Sequence, residues 1–486
     1  MLLATPYQDV RSIGRFLADA GYDTHHLATD LDLVEGLFAN GENLQPLLMK
    51  TEGDGVLPVL ARLLFVGYPV EKSRCRRVIP ESILSTALDC GLLEAVNEDL
   101  HATASVAPFR DNLIAFDSYQ YRSSDRNDMV GGPGISSHFI ARLAAGGENE
   151  TTLDLGTGSG VLAIEAAAYS RRVTGTDINE RAIQFAEFTA ALNGVTNAEF
   201  LCGDTFNPVA GRRFSRIIAN PPFFLSPAKK FTYSDSPLEL DGFARHLTKH
   251  AFEYLEPGGF YQMICQWVEI ENELWENRLR EWTASSGCDV LVLLAPQSTP
   301  IAYAELRDRE ARQAHTNPEF DFPSRVSYLR ERGVRMVHSG VITMQKRSGA
   351  NWFRVLGTAP AGSKVGPGLR ERFDSFTFLA TQSEAQLFNT TFRFAADVEL
   401  STIREPAGSP IAIDLIKTET LVDRVRLDEA VADCLPLFDG NRNLQQVSAQ
   451  VAAKLEINPE EAQKRCLQLV KRLLQGSFLL PQPATT

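Results

Sequence analysis

Asn220-Pro221-Pro222-Phe223 follows the apolar run Arg216-Ile217-Ile218-Ala219 and lies downstream of a glycine-rich stretch, Gly156-Thr157-Gly158-Ser159-Gly160. The exocyclic amine of adenine or guanine, like the amide of glutamine, has its lone pair delocalised into a π-system and is a poor nucleophile. An asparagine side-chain oxygen and a nearby backbone carbonyl can accept its two N–H bonds, which orients the nitrogen and turns its lone pair toward an incoming methyl group. Positioning and electrostatics then carry most of the catalysis. The prolines lack an N–H and fix φ, leaving carbonyls free and the loop stiff. Phe223 can stack on a flat acceptor. The plain alternative is a proline-rich loop with no substrate role. Taken with the glycine stretch, the loop suggests methyl transfer to a planar amino nitrogen. Transfer to oxygen calls for a His, Lys or metal-held acid to take the proton, and this loop contains none, although His246 and His250 follow it.

Positioning these groups takes a strand-to-turn-to-helix unit. Leu153-Asp154-Leu155 leads into the glycines, and the run Val161 to Ala168 is rich in alanine and favours a helix. Glycines permit positive φ and close approach of a ligand, and the helix start offers unpaired N–H groups. The spacing alone is weak, because dinucleotide-binding turns and ordinary tight turns share it. Arg172 to Asp177 reads as a second strand ending in an acid, and Glu180 to Gly194 as a helix with apolar positions Ile183, Ala186, Phe188 and Leu192. An acid at that strand end can accept hydrogen bonds from both hydroxyls of a ribose. Ala198 to Asp204 repeats the pattern, and Asp204 could face an adenine edge.

In this order the residues resemble the class I S-adenosylmethionine-dependent methyltransferases, in the amino-methylating branch whose fourth strand ends in Asn-Pro-Pro-aromatic. The resemblance covers roughly Asp128 to Arg347. It implies an α/β, doubly wound, Rossmann-like core whose seven-stranded sheet is mostly parallel with the last strand antiparallel. It also implies that Asp154, Gly156, Thr157, Gly158 and Gly160 line the methionine part of S-adenosyl-L-methionine, with Asp177 at the ribose and Asp204 near the adenine. Ile178 and Asn220 complete the cofactor-contacting set, and Asn220, Pro221, Pro222 and Phe223 hold the acceptor amine. The Gly/Pro/Ser segment Met129 to His138 fits a loop closing over the methionine end, or a linker into the domain.

Other candidates carry less. His246 and His250 fit one helix face, but a metal reading needs a third ligand and no His-Glu-x-x-His pattern is present, so no metal is expected. Lys229, Lys230, Tyr233 and Asp235 suit a loop covering the substrate, or solvated charges. Lys72 to Arg77 is a basic cluster, and Arg325, Arg330, Arg332, Arg335, Lys346 and Arg347 form a diffuse second one; for each, a solvated face stands against an RNA contact.

At 486 residues the chain is too long for a single core, so two or three domains are expected. Hydrophobic residues at 44% and charged residues at 22% place it with ordinary globular enzymes. A formal net charge of −13 argues against nonspecific coating of nucleic acid, which depends on Lys and Arg contacts to phosphate. No apolar run reaches the roughly 20 residues that span a bilayer, and Met1 to Pro6 lacks the features of a signal peptide, so a cytoplasmic protein without membrane contact is expected. Seven scattered cysteines form no Cys-x-x-Cys pair and suggest reduced thiols.

The expected organisation is an N-terminal domain over 1–125, a methyltransferase domain over 126–357 and a small α+β accessory domain over 358–486. In the first, helical spacing over Val56 to Leu64 and Ile83 to Leu88 precedes a β-hairpin, Ser105 to Phe109 and Leu113 to Phe116, which together resemble a winged helix. Val337 to Gln345 and Trp352 to Leu356 read as the last strands of the core, and Thr358 to Gly368 as a linker. Beyond it, Phe373 to Leu379 and Ile411 to Leu415 read as strands, followed by helices near Leu444 to Leu455 and Glu460 to Leu474 and a closing strand over Gly476 to Leu480. The first acceptor to consider is an exocyclic amine of a nucleic-acid base, with structured RNA favoured because a flat base stacks on Phe223. A protein glutamine amide, a small molecule, and a noncatalytic cofactor-binding module are the alternatives; the oligomeric state is not specified.

Overall fold

The computed structural model describes residues 7–33, 44–118, 128–144, 149–227, 236–313, 322–357, 365–404 and 410–482. The chain divides into two compact units, one of Met1–Ala141, Glu148–Ser286 and Leu294–Lys346, the other of Arg142–Gly147, Gly287–Leu293 and Arg347–Thr486.

The first unit is built on a mixed sheet. Its strands are β1 (Asn149–Leu155), β2 (Ser170–Asp177), β3 (Ala198–Cys202), β4 (Phe214–Ala219) and β5 (Leu255–Ile270), followed after β6 (Cys288–Leu294) by β7 (Val334–Lys346). In space they run β7-β5-β4-β1-β2-β3. The five strands from β1 to β5 are mutually parallel, and β7 is antiparallel to β5, with Cys265 opposite Gly340. Register brings the strand ends to one edge: Leu155 pairs with Thr176 on one side and Ala219 on the other, and Asp177 pairs with Cys202. Chain order reverses direction between β1 and β4, the place where open α/β sheets bind ligands.

The helix α1 (Ile135–Ala144) precedes β1, and α2 (Val161–Ala167) and α3 (Glu180–Asn193) follow β1 and β2. Asn179 caps α3 by accepting from the Arg181 N–H, and Gly194 ends it in the left-handed conformation at φ 67°. Phe185, Phe188 and Leu192 of α3 are buried, each contributing about 1.5–3 kcal/mol.

The N-terminal residues pack onto this core. Helices Lys72–Val78 and Glu81–Asp89 are followed by an antiparallel pair, Leu93–Val96 with Asp99–Ala102, whose second strand also pairs with Val70–Glu71. The hairpin singled out in the sequence forms too, Ser105–Phe109 against Asn112–Phe116, but it is buried and attached to α3. There Leu113 exchanges bonds with Asn193, N–H to Oδ1 at 2.8 Å and carbonyl from Nδ2 at 2.7 Å. The hairpin that directly follows the helices is therefore the one at 93–102, which has less β-branched and aromatic content to announce it.

In the second unit β6 pairs in parallel with β8 (Phe353–Leu356). The expectation of a strand over Phe373 to Leu379 is corrected: Val365–Thr381 is a helix, with Leu369, Phe373 and Phe376 buried at helical spacing, and Val365 to Gly368, expected as the end of the linker, form its first turn. Trp352 packs on Phe373 and Phe376, with ring centroids 5.0 and 5.2 Å away. The fully buried Asp289 ties these pieces, accepting from Arg347 Nη2 at 2.9 Å, the Trp352 N–H at 3.0 Å and Thr377 Oγ1 at 3.1 Å. Two three-stranded sheets and the helices Leu444–Leu455 and Pro459–Gln475 complete the unit.

Candidate active site

The carboxyl ends of β1, β2, β3 and β4 wall a cavity of about 540 Å³ in the first unit, a size usual for small-molecule sites. The glycine turn forms its floor. The Gly156 and Thr157 N–H groups both donate to the Thr176 carbonyl at 2.8 Å, which folds the turn back on β2. Gly156 and Gly158 have φ of 76° and 55°, and a Cβ at either would meet no atom within 4 Å. That space is open to a ligand. Gly160, grouped with the cofactor-lining residues in the sequence reading, does not line the cavity. It sits at φ 85° with α3 so close that a Cβ would lie 3.1 Å from Ala186 Cα, so its smallness lets the helices approach.

Asp154 stands beneath the turn, 1% exposed. Its Oδ2 accepts from Thr157 Oγ1 at 2.7 Å and the Ala163 N–H at 3.0 Å, whereas Oδ1 is buried with no hydrogen-bond partner among the described residues. Burial pushes the carboxyl up to about 7. Asp177 ends β2, where Oδ2 accepts from the Gly158 N–H and Oδ1 from the Asn179 N–H, each at 2.9 Å. Burial raises its pKa as well. Ile178 is 66% exposed beside it and lines the cavity. Asp204 lies at the same rim, near His246 of helix α4 (Gly242–Ala251), whose pKa burial lowers and Asp204 opposes.

Asn220 leaves β4 into the far wall. Its Nδ2 donates to Ser136 Oγ at 3.1 Å and Ser137 Oγ at 3.3 Å, both in the first turn of α1. Pro221, Pro222 and Phe223 continue the wall. The loop is held from behind by helix α5 (Pro300–Gln313): the Leu225 N–H donates to Tyr303 Oη at 3.0 Å, and the Arg307 guanidinium stacks 3.2 Å from the centre of Phe224. Phe224 in turn meets Phe223 edge to face, with centroids 5.0 Å apart.

All other candidate residues of the turn and strand ends thus meet in one cavity, along with Met129, Val130, Gly131 and Gly132. The segment before α1 is anchored, since the Val130 N–H donates to Asp117 Oδ2 at 2.8 Å and Asn179 Nδ2 to the Asp128 carbonyl at 2.9 Å. Sequence reasoning missed the contacts of Ser136 and Ser137 with Asn220, and the roles of Phe224, Tyr303 and Arg307 behind it. A serine pair after Gly-Pro-Gly was the only available signal. Lys229, Lys230, Tyr233 and Asp235 lie outside the described residues. His246 and His250 share a helix face, ring centroids 4.5 Å apart, and among the described residues no group of three or more His, Cys, Asp and Glu side chains could hold a metal.

The family model described as the methyltransferase small domain matches residues 135–280, which include the glycine turn, both strand-end acids and the Asn-Pro-Pro-Phe loop. A putative protein N5-glutamine methyltransferase of Methanocaldococcus jannaschii is 32% identical over 151 residues, 29% of this chain and 74% of that protein. The chain belongs to the class I S-adenosylmethionine-dependent methyltransferases, in the methyltransferase small domain family.

Two further relatives of this methyltransferase family are bacterial. A release factor glutamine methyltransferase of Vibrio cholerae is 34% identical over 121 residues, 22% of this chain and 42% of the relative. A ribosomal RNA small subunit methyltransferase C of Alcanivorax borkumensis is 26% identical over 162 residues, 29% of this chain and 46% of the relative. The chain thus spans less than half the length of these two. The cofactor of the family is S-adenosylmethionine, and the cavity fits it: the unpartnered Asp154 Oδ1 awaits a donor such as an ammonium, and the open space above Gly156 and Gly158 admits a chain against the backbone. Among the described residues no helix is long and apolar enough to cross a membrane.

Proposed function

We propose that the chain transfers the methyl group of S-adenosylmethionine to a planar exocyclic amino nitrogen, with a base of structured RNA as the first acceptor class. The observation that carries this reading is the orientation of Asn220. Its amide bonds to Ser136 and Ser137 both engage Nδ2, which leaves Oδ1 as the acceptor for a substrate N–H.

The bound cofactor supplies an electrophilic sulfonium methyl. Asp154 takes the methionine ammonium end, above Gly156, Thr157 and Gly158. Asp177 takes the ribose hydroxyls, its carboxylate already held by backbone N–H groups that include Gly158 and Asn179. Ile178 and Asp204 border the adenine. Asn220 Oδ1 and the carbonyl of Pro221 hold the acceptor's two N–H bonds, and Phe223, backed by Phe224 and Arg307, stacks on its flat face. The nitrogen loses a proton to solvent once the new N–C bond forms, and no side-chain base is required of the loop.

A glutamine amide in a protein is the second reading, and the basic clusters favour it. Arg74 is spent on backbone carbonyls of Glu52 and Gly53 at 3.0 and 2.6 Å, Lys346 on those of Phe252 and Leu255 at 2.8 and 3.0 Å, and Arg347 on Asp289. These three are taken from phosphate, while Arg76 and Arg77 keep exposed side chains. The names of the Vibrio and Methanocaldococcus relatives point the same way. In either case residues 1–125 and 358–486 are accessory domains, and the protein acts in the cytoplasm.

The test is transfer of radiolabelled methyl from S-adenosylmethionine into a cell extract divided into RNA, DNA, protein and small-molecule fractions, with Asn220→Ala as control. Asn220-dependent label in RNA supports the first reading and label in protein the second. Tight cofactor binding with no Asn220-dependent label in any fraction replaces both with a noncatalytic cofactor-binding module.

A further inference from the structure

Ser136 and Ser137, in the first turn of α1, each accept a hydrogen bond from the Asn220 amide. An amide side chain has two ends of nearly equal size, and only one of them suits a substrate N–H. If the amide turned over, Nδ2 would face the cavity and oppose the hydrogens of the acceptor nitrogen. What holds the useful orientation must therefore be a pair of acceptors on the protein side.

The two hydroxyls are placed for that task. Ser137 is 7% exposed, and its Oγ also accepts from the Gly134 N–H at 3.4 Å, which fixes it in the turn. Ser136 lines the cavity next to it. Their helix is itself seated: His138, the next residue, packs against Phe109 of the buried hairpin with centroids 4.2 Å apart. The turn that carries the serines is thus fixed to the N-terminal residues, while the asparagine belongs to the sheet.

We propose that Ser136 and Ser137 are positioning residues for methyl transfer, which lock the Asn220 amide with Oδ1 toward the acceptor and thereby make the site selective for groups that donate N–H. The proposal rests on the role given to Asn220 above. The serines touch neither the acceptor nor the transferred methyl in this account; they act through Asn220.

The experiment is a double-mutant cycle, with methyl transfer measured on the extract fraction that the wild-type protein labels. The double change Ser136→Ala/Ser137→Ala is expected to lower kcat about tenfold, the worth of one to two hydrogen bonds, while calorimetric affinity for S-adenosylmethionine stays within about twofold. Ser136→Thr, combined with wild-type Ser137, keeps a hydroxyl and is expected to keep kcat. In the Asn220→Ala background the serine changes should cost nothing further, since coupled residues do not add. Wild-type kcat in the serine double variant, or a serine loss that multiplies onto that of Asn220→Ala, overturns the proposal. Full turnover by Asn220→Ala alone overturns instead the reading on which it rests. Should the double variant fail to fold, Ser136→Ala alone, at the half-buried position, reads the same cycle.

Discussion

Thr157 Oγ1 donates to Asp154 Oδ2 at 2.7 Å, so the hydroxyl in the middle of the glycine turn holds one oxygen of the strand-end carboxyl while the other has no partner among the described residues. The pair leaves a buried acid satisfied on one side only. Its carboxyl is pushed up to about 7 by burial, from an ordinary value of 3.8.

A raised carboxyl pKa stabilises the fold at low pH, where the acid is protonated in both states, and that stabilisation is lost as pH rises from near 4 through about 7. Asp154→Asn keeps an oxygen for Thr157 and Ala163 and removes the charge. Without cofactor, the variant is expected to melt higher than wild type at pH 8, with the gap narrowing as pH falls through about 7 and closing near pH 4, in thermal melts across that range. Wild-type affinity for S-adenosylmethionine should fall as pH drops below about 7, because the ammonium needs the carboxylate; calorimetry checks this, and Asp154→Asn should bind weakly at every pH.

Asp177→Ala removes an acceptor from the backbone N–H groups of Gly158, Ile178 and Asn179 and from the ribose. Cofactor affinity is expected to fall by about 1.5–3 kcal/mol, the worth of hydrogen bonds to a charged group. Titration calorimetry on the folded variant is the measurement, and undiminished affinity removes Asp177 from the ribose.

The glycines of the turn should separate by role. Gly160→Ala places a Cβ 3.1 Å from Ala186 Cα at φ 85° and is expected to destabilise the fold by about 2 kcal/mol or more. Gly158→Ala meets open space and bears only the left-handed strain of about 1–2 kcal/mol, but its methyl enters the cavity. Gly160→Ala should therefore show the larger drop in Tm, and Gly158→Ala the larger loss of cofactor affinity.

The sequence made the site legible where chemistry has a local signature. Strand, glycine turn, strand-end acid and Asn-Pro-Pro-Phe each occupy a few consecutive residues, and parallel strands bring their ends together once the fold class is known. The hold of Ser136 on Asn220 spans 84 positions, and neither segment indicates the other. Asp289 likewise reads as one acid in an apolar strand until Arg347, Trp352 and Thr377 close on it. Over Phe373 to Leu379 the aromatic content suits a strand, whereas burial follows the helical spacing of Leu369, Phe373 and Phe376. Arg74 was read as one charge of a basic cluster, whereas the fold uses it as a clasp.

That distinction decides how to test for an RNA surface. Arg74 has a side chain 15% exposed, bonded to the carbonyls of Glu52 and Gly53 and paired with Asp54 at 3.1 Å, whereas Arg76 and Arg77 are 65% and 61% exposed. Arg74→Ala strands those carbonyls and is expected to destabilise the N-terminal residues by about 1.5–3 kcal/mol, which urea unfolding would measure. Neutralising all three arginines together would confuse that loss with lost binding. Arg76→Ala/Arg77→Ala should leave stability within about 0.5 kcal/mol, as exposed pairs contribute little. If RNA docks on this face, the double variant lowers the slope of log affinity against log salt by about 2, one for each phosphate contact. An unaltered slope, in a variant that still folds, takes RNA off this face and shifts the acceptor toward the protein amide.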